Sequence, residues 1–177
     1  MKLYVVRHGQ TEINVKGQIN GHNYIGLNVK GIKQAKEAGK KVKDLKIDLV
    51  FCSPIKRTRE TCMNVNVNQI EVIYDKRLVE RDSRSMEFKP ISVIDWDTWY
   101  DREREVVFTD TEGFKCVLAR VTSFIEEMKR KYKDKNILVV THGDVCKAFY
   151  VYFNPNILDT NIVDYEQPNC GIAEYEC

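Results

Sequence analysis

The chain has 177 residues, 43% of them apolar, which is enough for one sizeable core and sets one domain as the default. Its 28 Lys and Arg against 26 Asp and Glu leave a net charge of +2 with both signs interspersed, which excludes a nucleic-acid protein working through a basic face. Six cysteines, Cys52, Cys62, Cys116, Cys146, Cys170 and Cys177, show neither CxxC spacing nor a Cys/His cluster, so they read as reduced, mostly buried thiols. The first strand begins at the N-terminus itself and no apolar stretch approaches the length of a bilayer, so a cytoplasmic protein is expected, neither secreted nor inserted in a membrane.

Leu3-Tyr4-Val5-Val6 reads as a short strand stopped by Arg7-His8-Gly9. A polar, glycine-containing stretch from Gln10 to Leu27 follows, a loop over the sheet edge. Asn28 is a good N-cap, and Val29, Ile32, Ala35, Gly39 and Val42 then recur at helical spacing. Leu49 to Cys52 is a strand, after which Ser53 as N-cap and Pro54 at the first helical position predict a helix that carries Arg57 just past its first turn. Glu71 to Tyr74 is another strand. Residues 78 to 94 lack a pattern and read as a functional loop, and Asp95 to Val107 is expected to be a short amphipathic helix. Phe114, Val117, Leu118, Val121, Ile125, Met128 and Tyr132 keep helical spacing, with lysines near the negative end of the dipole. Ile137 to Val140 forms a strand ending at Thr141-His142-Gly143, a helix presents Cys146, Phe149, Tyr150 and Phe153, Asn154-Pro155 breaks it, and a last strand covers Gly171 to Tyr175. Strand and helix alternate throughout, which predicts an α/β fold, a three-layer α/β/α sandwich around a largely parallel sheet.

Two histidines, His8 and His142, therefore leave two strands at matching points. In an open α/β sheet the carboxyl edge is where ligands bind, so parallel neighbours would bring both imidazoles to one site. With Arg7 and Arg57 they would make a cationic cup for a phosphoryl dianion, whose outer oxygens match the planar fork of arginine. One neutral imidazole could attack phosphorus while the cations stabilise the charge in flight. No metal would be needed, and no cofactor is expected.

The segment Arg7-His8-Gly9-Gln10-Thr11-Glu12-Ile13-Asn14 closely resembles the signature of the histidine phosphatase superfamily, phosphoglycerate mutase-like branch. Further matches fall in the same order: Gly21 with Leu27, Asn28, Gly31, Gln34 and Ala35, then Ser53 to Thr61, Leu78-Val79-Glu80-Arg81, Thr141-His142-Gly143 and Asn169-Cys170-Gly171-Ile172. The resemblance covers nearly the whole chain. It implies that His8 is the nucleophile, that Arg7, Arg57 and His142 bind the transferring phosphoryl group with help from Asn14 and Gly143, and that Glu80 is the proton donor. It implies a phosphoglycerate mutase-like fold over residues 1–177, with 78–112 as an active-site cap or loop insertion.

Arg84 and Phe88 depart from this pattern by standing at what look like glycine positions after Glu80, and Lys147 stands where many members carry arginine. The resemblance implies that a mutase of this family would carry a longer insertion and extra arginines; with only about sixty residues between Glu80 and His142 and no adjacent Arg-Arg pair there, it favours hydrolysis of a small-molecule phosphate ester over a mutase-type transfer, with a weakly catalytic phospho-ligand module as a further alternative. Arg77, Arg81, Arg84, Arg102 and Arg104 are candidates to grip an anionic substrate, and Trp96, Trp99 and Tyr100 to form an apolar wall, although core packing explains such aromatics more often. His22 reads as a loop histidine. No nucleic-acid or membrane partner is expected, and oligomeric state has no signature in the sequence.

Overall fold

The computed structural model describes the backbone of residues 1–157 and 159–177, and the side chains of all of these except 159–161. In chain order the elements are β1 (Lys2–Arg7), α1 (Glu12–Val15), α2 (Val29–Val42), β2 (Leu49–Cys52), α3 (Lys56–Val65), β3 (Val72–Tyr74), α4 (Trp96–Trp99), β4 (Val106–Val107), β5 (Thr111–Glu112), α5 (Phe114–Lys131), β6 (Asn136–Thr141), α6 (Gly143–Phe153), α7 (Asp159–Asp164) and β7 (Ile172–Glu176). The main sheet has the order β3-β2-β6-β1-β7. β1, β2, β3 and β6 run parallel, and β7 lies antiparallel against β1.

Alternate residues of the parallel strands enter two separate apolar layers, as the two-residue period of a strand requires. Leu3, Val5, Phe51, Ile137 and Val139 point into the core built with α5 and α6, whereas Tyr4, Val6, Val50, Cys52, Leu138 and Val140 point into the one built with α2 and α3. The sheet is therefore buried on both faces, and the three-layer arrangement follows. Helix α2 starts as its sequence says, with the Asn28 side chain accepting from the Gly31 N–H at 2.8 Å. In α5 the buried residues Phe114, Val117, Val121, Phe124, Ile125 and Met128 form the inward stripe, each worth about 1.5–3 kcal/mol of apolar burial.

The chain departs from the expected elements in four places. Helix α3 begins at Lys56 with Ile55 as its cap residue, not at Pro54 after a Ser53 cap. The Ser53 hydroxyl meets His142 at 2.8 Å instead, and its link to the helix start is a 3.4 Å contact with the Ile55 N–H. The helix expected over Asp95–Val107 stops at Trp99, because the Trp99 and Tyr100 side chains turn inward to Asp144 and Val106–Val107 pairs with Thr111–Glu112 in a hairpin. The loop after Gly9 contains the short helix α1, closed by a Thr11–Asn14 capping box. Helix α7 lies between the Asn154-Pro155 break and the last strand, where no element was expected.

Arg84 and Phe88, the two departures at glycine positions, adopt φ of 39° and 63°. Both lie in the left-handed region that glycine enters freely and other residues enter at about 1–2 kcal/mol. Both positions thus hold a backbone that suits glycine while carrying side chains. No helix among the described residues is long and apolar enough to cross a membrane.

Candidate active site

The register of β1 on β6 pairs Val6 with Val140 and Arg7 with Thr141, so the chain leaves both strands at the same level. His8 and His142 consequently face each other with ring centroids 5.3 Å apart, and the His8 N–H donates to the Thr141 carbonyl at 2.9 Å. Both rings are buried. Gly9 lets this turn close, since a Cβ there would overlap the backbone of Gly31 in α2.

The proton on His8 is fixed by its neighbours. Nδ1 lies 2.8 Å from the Gly9 carbonyl, which can only accept, so Nδ1 carries the hydrogen and Nε2 is bare. Arg57 Nε donates to that bare Nε2 at 3.3 Å. Burial, reinforced by the charges of Arg57 and then Arg7, holds the His8 pKa well below the usual imidazole range. Burial is the larger cause, ahead of the like-charge repulsion. His142 is pushed down in the same way by burial, Arg57 and His8. Its Nε2 meets the Ser53 hydroxyl at 2.8 Å, and its buried Nδ1 has no hydrogen-bond partner among the described residues.

Arg57, the second residue of α3, is fully buried and spans the site, with Nη2 donating to the Gly21 carbonyl at 2.7 Å. Burial lowers its pKa to about 10, which still leaves it charged at neutral pH. Gly21 itself has φ of 59° and packs where a Cβ would overlap Glu87, so glycine is required for that carbonyl to face Arg57. Arg7 donates from Nη1 to the Gln167 carbonyl at 2.7 Å, and its Nε has no partner among the described residues. The buried Arg7 Nε and His142 Nδ1 thus have no hydrogen-bond partner among the described residues, which is costly unless one arrives with a ligand.

Glu80, for which a surface loop position was the competing reading, is only 9% exposed. Its carboxylate accepts from the Arg81 N–H at 3.1 Å, the Asp144 N–H at 3.2 Å and the Gly143 N–H at 3.1 Å, so it sits on the N-terminus of α6. Burial and the neighbouring Asp144 raise its pKa, while Arg57 pulls the other way. The Gly143 N–H is occupied by Glu80 in this arrangement. Asn14 lines the cavity with Oδ1 committed to the Thr11 N–H at 3.0 Å, which leaves its Nδ2 as the group a ligand would meet. His22 is more than a loop residue: its Nε2 lies 2.6 Å from the Glu80 carbonyl and helps fix that backbone.

Donor atoms of His8, Glu80 and His142 lie within 4.8 Å of one another, a spacing that would suit a metal ion. Arg57 Nε donates to His8 Nε2 and Arg7 adds a second cation, so the surrounding charge favours an anion. The chemistry available is therefore a bare imidazole nitrogen, guanidinium and imidazole donors, and a carboxyl group with a raised pKa within a few ångströms.

Several residues of this network were not legible in the sequence. Asp144 accepts from Trp99 Nε1 at 3.1 Å and Tyr100 OH at 2.9 Å and pairs with Arg81 Nε at 3.0 Å. Arg81 is wholly buried against the rings of Trp99, Tyr100 and Phe114. Ser53 and Gln167 likewise serve as supports. Of the arginines named as candidate anion grips, Arg77 pairs with Asp75 and Glu127, Arg81 with Asp144, Arg84 with Asp82 and Arg104 with Asp101. None of the five lines the main cavity, although Arg102 lines a neighbouring hollow. That cavity, about 440 Å³, is lined by Arg7, His8 and Glu80 together with Ile91, Ile94, Trp96 and Val163. The aromatic trio divides: Trp99 and Tyr100 are core residues at its edge, and Trp96 is 38% exposed.

The family model of the histidine phosphatase superfamily (branch 1) matches residues 3–177. By sequence the chain is 28% identical over 182 residues to phosphoserine phosphatase 1 of Hydrogenobacter thermophilus, covering 99% of this chain and 84% of that protein. It is 30% identical over 162 residues to adenosylcobalamin/alpha-ribazole phosphatase of Salmonella typhimurium, covering 82% and 75%. The solved phosphoserine phosphatase of Entamoeba histolytica in complex with 3-phosphoglyceric acid has the same fold, with a TM-score of 0.86 at 24% identity over 98% of this chain and 90% of that one. With the six ordered motifs, the paired histidines and a match from end to end, the chain is a phosphatase that belongs to the histidine phosphatase superfamily, branch 1.

Proposed function

We propose that this enzyme hydrolyses small-molecule phosphomonoesters through a phosphohistidine formed on His8, without a metal ion. The observation that carries the reading is the bare His8 Nε2, with Nδ1–H bound to Gly9 and the imidazole held neutral by burial. In the first step the Nε2 lone pair attacks phosphorus and the P–O bond to the leaving group breaks. Arg7, Arg57, the His142 Nδ1–H and the Asn14 amide receive the phosphoryl oxygens, and so Arg7 Nε and His142 Nδ1, unpartnered among the described residues, gain partners. Glu80, its pKa raised by burial and Asp144, gives its proton to the departing alkoxide. Glu80 then takes a proton from water as the water oxygen attacks phosphorus, and the P–N bond breaks to release phosphate and restore His8. As phosphate enters, the Gly143 N–H can pass from Glu80 to a phosphoryl oxygen.

Residues 78–112 act in this reading as a cap within one 1–177 domain, fastened to α6 by the Asp144 contacts with Trp99, Tyr100 and Arg81. Six free cysteines fit a reducing compartment, in keeping with a cytoplasmic enzyme. The test is phosphate release from a panel of phosphomonoesters in excess chelator, with His8→Ala beside the wild type. Release that survives the chelator and is abolished in the variant is expected. Equal release by the variant, or complete dependence on added metal, would defeat the proposal.

A further inference from the structure

The main chain of Glu80 is held by two side chains that the proposed chemistry does not use. Arg120 of α5 donates from Nη2 to the Glu80 carbonyl at 3.2 Å and from Nη1 to the Arg77 carbonyl at 2.6 Å, while its Nε meets the Glu112 carboxylate at 3.1 Å. The second donor to the Glu80 carbonyl is His22 Nε2 at 2.6 Å. A carbonyl only accepts, so that Nε2 carries a hydrogen.

His22 sits in the chain between the two residues whose carbonyls grip Arg57. The Gly21 carbonyl accepts from Arg57 Nη2 at 2.7 Å and the Asn23 carbonyl from Nη1 at 3.4 Å. The His22 N–H donates to the Glu87 carboxylate. One exposed residue thus ties the turn that holds Arg57 to the segment that carries Glu80, through both its backbone and its ring. The Glu80 carbonyl and the Arg81 N–H belong to one planar trans peptide and point to opposite sides of it. That N–H donates to the Glu80 carboxylate at 3.1 Å. Fixing the carbonyl therefore fixes a donor that orients the carboxyl group.

We propose that His22 is a positioning residue for Glu80: its Nε2–H locks the Glu80–Arg81 peptide plane and so keeps the carboxyl group aimed at the leaving oxygen while Arg57 holds the phosphoryl group. This inference rests on the phosphomonoester reading above, in which Glu80 is the acid. Arg120 ties the same carbonyl to α5, whereas His22 ties it to the Arg57 turn.

Two readouts test the role on His22→Ala, His22→Asn and His22→Gln. Glutamine carries an amide N–H at the same reach from Cβ as histidine Nε2, whereas the asparagine amide falls one atom short. Glutamine also removes the ring, so its comparison with alanine isolates the hydrogen bond. The first readout is a carbon NMR titration of the Glu80 carboxyl group, which needs no turnover. Asp144, Arg57, Arg7, His8 and His142 face that group and Arg120 its main chain, and all are unchanged in these variants. Burial and Asp144 raise the Glu80 pKa, and Arg57 and the Arg81 N–H oppose them, so a slackened Arg81 bond lets it rise further. Glu80 should titrate higher in His22→Ala and His22→Asn, and as in wild type in His22→Gln.

The second readout is kcat/KM on ethyl phosphate and 4-nitrophenyl phosphate, with Glu80→Gln alongside. General acid catalysis serves the departing alkoxide far more than the stable nitrophenolate, so Glu80→Gln should lose about 100-fold or more on ethyl phosphate and little on the aryl ester. A misplaced carboxyl group should cost His22→Ala and His22→Asn about 10-fold on ethyl phosphate and little on the aryl ester, with His22→Gln near wild type. An unshifted titration in His22→Ala, equal losses on both esters, or a glutamine variant no better than alanine would overturn the positioning role. If the titrations shift as expected while neither ester turns over, or while Glu80→Gln loses nothing on ethyl phosphate, the positioning stands and the reading of Glu80 as acid in ester hydrolysis falls.

Discussion

Replacing Ser53 by alanine isolates one hydrogen bond that the proposed chemistry needs. Ser53 Oγ accepts from the Ile55 N–H at 3.4 Å and lies 2.8 Å from His142 Nε2, the one acceptor its O–H meets among the described residues, and we take the hydroxyl to donate there. A hydroxyl donating to Nε2 requires the hydrogen of neutral His142 to be on Nδ1, the atom left unpartnered among the described residues. The serine thereby sets the tautomer that can donate to a phosphoryl oxygen. Ser53→Ala removes a buried bond worth about 0.5–1.5 kcal/mol and strands an acceptor at about 1–3 kcal/mol, so a stability loss of roughly 1–3 kcal/mol is expected. Losing a donor aimed at developing negative charge costs up to about 100- to 1,000-fold in kcat. A merely unfixed tautomer should cost less, about 10- to 100-fold, with KM little changed. Steady-state kinetics and urea unfolding give these numbers, and nitrogen NMR of the imidazoles reports the tautomer directly. Ser53→Cys, with a weaker donor of similar shape, should fall between. Wild-type kcat in Ser53→Ala, with His142 Nδ1 still protonated, would refute the reasoning.

His8 and His142 are harder to protonate folded than unfolded, so below about pH 6.5 the unfolded chain binds more protons and stability falls as pH drops through their folded pKa values. Glu80 has the opposite sign, its contribution being present below about 4.5 and lost as pH rises through its folded value. Urea midpoints should therefore fall between pH 7.5 and 5.5, and a flat profile over that range would contradict the burial of two neutral imidazoles. Asp144→Ala should cost about 3–5 kcal/mol, because Arg81 is wholly buried and loses its carboxylate, and the alkaline limb of kcat/KM should move down as Glu80 loses a neighbouring charge. An Asp144→Ala protein as stable as wild type would show that the ion pair is not what holds the cap. Phe88→Gly, at an exposed position with φ of 63°, should stabilise the protein by up to about 1 kcal/mol, read as a rise in the thermal midpoint. A fall of that size would mean the Phe88 ring contributes packing that outweighs its backbone strain.

Much of the site was legible because it hangs on short-range signals. Apolar strands that end in Arg7-His8-Gly9 and Thr141-His142-Gly143 place both histidines at one edge as soon as β1 and β6 pair in parallel, and they do so with Arg7 opposite Thr141. Arg57 and Glu80 came from motif order, and both are buried beside His8. What the sequence hid depends on contacts between distant segments. Ser53 looks like a helix cap, yet its hydroxyl is taken by a histidine from another strand. Trp96, Trp99 and Tyr100 suit a longer helix, but Trp99 and Tyr100 are drawn to Asp144 and the helix stops. Nothing local marks β7 as antiparallel, since that direction shows only in its register against β1. Arg84 and Phe88 mislead in the opposite sense, because their backbone lies in the region glycine favours although neither is glycine.

The most direct test of the central claim is rapid acid-free quenching during turnover of a phosphomonoester, followed by phosphorus NMR and peptide mapping of the phosphorylated enzyme. The account predicts phosphate on Nε2 of His8, formed and discharged as fast as the enzyme turns over and absent in His8→Ala. Full activity with no phosphoenzyme formed at a competent rate, or with the label on His142, would contradict it.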